Sequence, residues 1–172
     1  MTAFTGEDKL TEILDEFDTA SHELRKVEEF KEATEEAFLG GFQPIAQTVV
    51  MPYFEAVAEM LRDRDHQAEV VVTRGEAPDD PAAAISEVAL WFSPRGKPVS
   101  MLGRMEARSG QVPHVIVRCE PSRFKVITFE GTIGGMSGGS AGAGVMWDLN
   151  EVTEDALAER TVKIVQEALA FS

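Results

Sequence analysis

The spacing of apolar residues switches near residue 65 of this chain, from every third or fourth position before it to every second position over 68–149. A helical repeat cannot be laid out as a half-buried strand, nor an alternating one as a helix, so the change separates a helical region from a sheet. In the first part, Leu10, Ile13, Leu14, Phe17, Ala20, Leu24, Val27, Ala33, Ala37 and Phe38 predict one amphipathic helix over 7–39. Thr5 is placed to cap it, Glu7 and Asp8 face the positive end of its dipole, and Gly40 suits the left-handed residue after the last turn. The Gly40-Gly41 pair then reads as a break, with Pro44 opening a second helix along Ile45, Val49, Tyr53, Phe54, Val57 and Leu61. The expectation is an N-terminal helical hairpin over 6–65.

The alternating part predicts strands at 68–73, 85–92, 99–107, 112–120, 124–130 and 143–149. Connections such as Ser93-Pro94-Arg95-Gly96 and Glu120-Pro121-Ser122-Arg123 are too short for helical crossovers, so the pairing is antiparallel and a meander of five or six strands over 68–149 is its simplest form. Thr153, followed by Glu154 and Asp155, starts a final helix over 154–171, and Val152 is placed to staple onto Leu157. Its face of Leu157, Thr161, Ile164, Val165, Ala168 and Leu169 suits packing on the sheet, with Glu159, Arg160, Lys163 and Glu167 outward. The whole reads as a single α+β domain over 1–172, a length that supports a core without disulfides or metals.

Charge narrows the partners. The net value is −14, which opposes nucleic-acid phosphate. Residues 1–65 carry 16 acids and 6 bases, whereas residues 93–125 carry 7 bases and 2 acids and are net positive. No basic leader precedes an apolar run, and no stretch has the length to cross a bilayer, so no membrane partner is expected and the expected location is the cytoplasm. Cys119 is the single cysteine, which excludes an intrachain disulfide; its apolar strand context makes it a buried thiol before a nucleophile.

No motif assembles a catalytic constellation. His22, His66 and His114 have no ligand spacing, so no metal is expected, and no cofactor signature is present. The Gly-rich stretch 131–144 lacks the Gly-Lys-Ser/Thr ending of a phosphate loop and reads as a connection between strands. Treating Pro121-Ser122 as a two-residue turn pairs Cys119 with Phe124, Arg118 with Lys125 and His114 with Phe129. Two cations directly opposite each other call for an anion nearby. Arg118, Lys125 and His114 are therefore the candidate residues for a small anionic ligand, with neutralisation by helix glutamates, or a bulge that shifts the register, as the structural alternatives. Met101 and Met105 share a strand face with Val99 and favour a binding surface over catalysis.

Leu10, Ile13, Phe17, Ala20, Leu24 and Val27 follow alternating steps of three and four, the seam of a coiled coil, which Lys31 interrupts. A helix of thirty-odd residues is about 50 Å long, more than the radius of so small a domain. Leu10, Ile13, Phe17, Leu24 and Val27 are therefore the candidate interaction residues, with a helix laid across the domain's own sheet as the alternative. The expected function is that of a noncatalytic, homo-oligomeric protein-interaction factor, an adaptor or chaperone-like protein, working by self-association or with a protein partner. The alternative is a small-molecule-binding protein or enzyme holding an anionic ligand between sheet and helices.

Overall fold

The computed structural model describes residues 7–75, 80, 82–93, 113–131 and 144–170, with residues 7–13 and 15 described by backbone alone. It divides into two compact units, Met1–Ala37 and Phe38–Ser172. Helix α1 (Glu7–Ile45) makes up the described part of the first unit and ends in the second. There it passes directly into a π-helical segment (Ala46–Val50) and then α2 (Met51–Arg62). Strands β1 (Gln67–Arg74), β2 (Ile85–Ser93), β3 (His114–Glu120), β4 (Lys125–Gly131) and β5 (Val145–Trp147) follow, and helix α3 (Glu154–Ala170) closes the order. The sheet runs β1-β2-β3-β4-β5 with every pair antiparallel, an α+β meander of five strands in which β2 pairs directly with β3, without the strand expected at 99–107 between them. The strand expected at 99–107, with Met101 and Met105, the Thr5 cap and most of the Gly-rich stretch lie outside the described residues.

The helical hairpin does not form. Gly40, Gly41 and Pro44 all lie inside α1, and no reversal separates it from α2. At Gly41 the missing side chain serves packing: a Cβ there would stand 3.0 Å from Leu149 Cδ1, in the 3-10 turn Leu149–Glu151. Pro44 removes one backbone donor, yet its own carbonyl still accepts from Thr48 Oγ1 at 2.7 Å. The continuous helix prevails because one face of it is wholly covered. Phe42, Ala46, Val50, Phe54 and Ala58 are all 0% exposed, at a constant spacing of four. In an α-helix each such step overshoots a turn by about 40°, so the face would rotate off the sheet. The wider π turn at Ala46–Val50 offsets that drift.

These residues meet one face of the sheet, supplied by Val88, Leu90, Phe92, Val115, Val117, Cys119 and Val126, and α3 adds Leu157, Ile164 and Ala168 to the same core. Burying each of the large side chains contributes about 1.5–3 kcal/mol. Gln43 fixes α1 to the sheet by polar contact. The Gln43 amide donates to the Ile85 carbonyl at 3.0 Å and its oxygen accepts from the Ile85 N–H at 2.7 Å, so it pairs with the first residue of β2 as a neighbouring strand would. The start of α3 matches expectation: Thr153 Oγ1 accepts from the Ala156 N–H at 3.3 Å, and Val152 and Leu157 are both buried.

Candidate functional site

The β3–β4 connection decides what the positive strand residues can do. It uses four residues where two were expected: Pro121–Arg123 form a 3-10 turn, and Phe124 follows with φ 51°, in the left-handed region. The Phe124 N–H closes the turn on the Pro121 carbonyl at 3.1 Å, and its ring meets Phe38 edge-on at 5.9 Å. The register therefore pairs Glu120 with Lys125, Cys119 with Val126, Arg118 with Ile127 and His114 with Gly131. A slip of two residues keeps every side chain on its expected face, so Val115, Val117 and Cys119 still point into the core, but it removes the expected Arg118–Lys125 opposition.

Each of these cations instead meets a carboxylate. Arg118 lies opposite Glu87 on β2, and its Nε and Nη2 both donate to Glu87 Oε2 at 2.7 Å. Its guanidinium also lies 5.1 Å from the centre of the Phe129 ring. Lys125 Nζ donates to Asp148 Oδ1 at 2.6 Å, and the same Asp148 side chain caps the 3-10 turn Leu149–Glu151 in a reciprocal capping box. The neutralising acids thus come from a strand and a turn, not from the helix exteriors. His114, four residues before Arg118 on β3, stands roughly 13 Å along the strand from it. Its imidazole lies on the Gly131 backbone, where a Cβ would stand 2.7 Å from Cε1. The three candidate ligand residues share one sheet face but do not converge on one point.

Cys119 is inert by its surroundings. It is 5% exposed, and burial, with the nearby Glu120 charge adding, pushes its thiol up to about 12. At neutral pH it is a protonated, apolar group. Among the described residues no cluster of His, Cys, Asp and Glu could hold a metal ion, and no helix is long and apolar enough to cross a membrane.

Sequence reasoning passed over a buried acid. Glu130, 8% exposed, points into the core side of β4, where its Oε1 accepts from Lys163 Nζ at 3.0 Å and Arg160 Nη1 at 3.5 Å. Arg160 and Lys163, expected to face outward, turn back to it. The signal was present, because strand alternation puts Glu130 on the same side as Val126 and Thr128. The two cations hold the carboxylate in place, so the arrangement ties α3 to β4.

The remaining candidate is on α1 within the first unit. Leu14, Phe17, Leu24, Val27 and Phe30 are exposed by 53%, 68%, 63%, 66% and 75%. Leu10 and Ile13 continue the same helical spacing but fall among the residues described by backbone alone. Large apolar side chains in helical spacing are normally buried, and scattered exposed ones need no explanation; five within seventeen residues of one helix form a surface. Acids surround it: residues 7–37 carry 12 acids and 4 bases. Compared with family models, with curated proteins and with solved structures, the chain matches none.

Proposed function

We propose that this chain is a noncatalytic protein-interaction factor that self-associates through the N-terminal part of α1. The observation that carries this is the row of exposed apolar residues from Leu14 to Phe30. At half to three-quarters exposure these five side chains offer on the order of 500 Å² per copy, so two copies reach about 1,000 Å², the lower bound of a specific interface. Burying that area is worth roughly 25 kcal/mol before the costs of association are subtracted. Like-charge pairs beside the seam each oppose it by only a few tenths of a kcal/mol. Apolar burial therefore outweighs the acidic repulsion, and salt further favours pairing by screening it.

The anionic-ligand reading finds less support, because Arg118 and Lys125 are each already met by a carboxylate. A native mass spectrum of the freshly purified protein tests both readings at once. Self-association gives a clean multiple of the 18.8 kDa chain mass. A monomer carrying a reproducible extra mass would instead favour a bound small molecule.

A further inference from the structure

We infer that the two α1 helices pair antiparallel, about a centre between Asp18 and Thr19. This deepens the self-association reading and rests on it. With Leu10 at position a of the heptad, Phe17 and Leu24 are also a residues, Ala20 and Val27 are d residues, and Lys31 is the next a. In a parallel pair in register, a faces a and d faces d. Phe17 then stacks on Phe17 of the second copy, Ala20 on Ala20, and Lys31 brings two ammonium groups together in the seam. In an antiparallel pair a faces d. The stated centre sets Phe17 against Ala20, a large side chain against a small one, twice and symmetrically. It also pairs the seam from position 10 to position 27 end to end, and it leaves Lys31 outside, because its counterpart would be position 6, before the first residue of α1.

The flanking positions favour the same orientation. Phe30 is a g residue, 75% exposed. A parallel pair places it against the e residue Glu35, a carboxylate facing the negative ring face. The antiparallel pair places it beside the g residue Lys9, whose charge and stem suit an aromatic ring. Like charges weigh the other way, since by heptad position a parallel pair opposes Glu23 to Glu28 whereas the antiparallel pair opposes both Glu16 to Glu23 and Glu7 to Glu28, but at a few tenths of a kcal/mol each they are outweighed by the packing of the seam.

Spin labels at Asp18→Cys and, separately, Glu36→Cys test this in the full chain by pulsed dipolar distance measurement. Both native side chains are exposed, and buried Cys119 stays unlabelled. Labels at position 18 lie near the centre in either orientation, at roughly 20 Å, the interaxial spacing plus the tethers. Labels at position 36 separate by about 50 Å if antiparallel, from the helical rise over 35 residues, and by roughly 20 Å if parallel. A short distance at 18 with a long one at 36 is expected. Short distances at both sites overturn the orientation while leaving self-association intact, and no dipolar coupling at position 18 overturns both.

Discussion

Two stretches of this chain have the same kind of sequence and opposite fates. From Phe42 to Leu61 apolar residues recur at helical spacing, and Phe42, Ala46, Val50, Phe54, Val57, Ala58 and Leu61 are at most 7% exposed. From Leu14 to Phe30 they recur just as regularly, yet the large ones are more than half exposed. An amphipathic helix states that it has a face to cover and says nothing about where the cover comes from. In the second unit the sheet provides it. In the first, a second copy of the chain is proposed to provide it.

The contrast breaks most visibly by truncation. Phe54→Ala should cost about 3–5 kcal/mol in chemical unfolding, the usual toll of a cavity in a closed core. Phe17→Ala, the same change in the first unit, should leave the unfolding of the second unit where it is. If both cost the same, the exposed row is part of a core and the comparison fails. Alkaline titration probes the covered side differently. Because burial raises the Cys119 thiol from 9.0 to about 12, the folded state holds a proton that the unfolded chain releases. Stability contributed by that thiol is complete below pH 9 and lost as pH rises toward about 12. Cys119 should accordingly resist a thiol reagent at pH 8 in buffer and react readily in urea; equal rates would place it at the surface.

Gln43→Ala should cost roughly 1–3 kcal/mol, since it leaves the Ile85 N–H and carbonyl without their partner. Gln43→Glu sharpens the result, because it keeps the bond from the Ile85 N–H but sets a second carboxylate oxygen, an acceptor, against the Ile85 carbonyl, so it should cost at least as much as alanine. At the small end, Arg118→Ala should change stability by about 1 kcal/mol or less, as expected for a partly exposed ion pair with Glu87. A larger loss would mean that the guanidinium stack on Phe129 supports the sheet more than its charge does.

The strands, their antiparallel pairing and the capped final helix were legible because each rests on local chemistry: alternation, the short turn between β3 and β4, and a Thr153 cap before two acids. What was not legible depends on contacts distant in the chain. Gly40-Gly41 and Pro44 carry the local marks of a helix end, and only the approach of Leu149 to Gly41 and the cover over Phe42 and Ala46 make the helix continue. The length of the β3–β4 turn turned on Phe124, which leaves the strand to meet Phe38, 86 residues earlier. That slip preserved the buried face, because it was even, and dissolved the cation pair that had pointed to a ligand. Glu130 had the opposite history, visible in the alternation yet lost among the many surface acids. On the first helix the spacing of Phe17, Leu24 and Val27 was plain, whereas the exposure of Phe30 beside the seam emerged only with the structure.

If a second copy of the chain covers the exposed row on α1, sedimentation equilibrium of wild type beside Leu24→Glu will show it. Wild type should fit a multiple of the 18.8 kDa chain mass, more tightly at high salt than at low, while Leu24→Glu sediments as the single chain with an unchanged circular dichroism spectrum. Wild type sedimenting as one 18.8 kDa species at every concentration and salt would mean that no second copy covers α1.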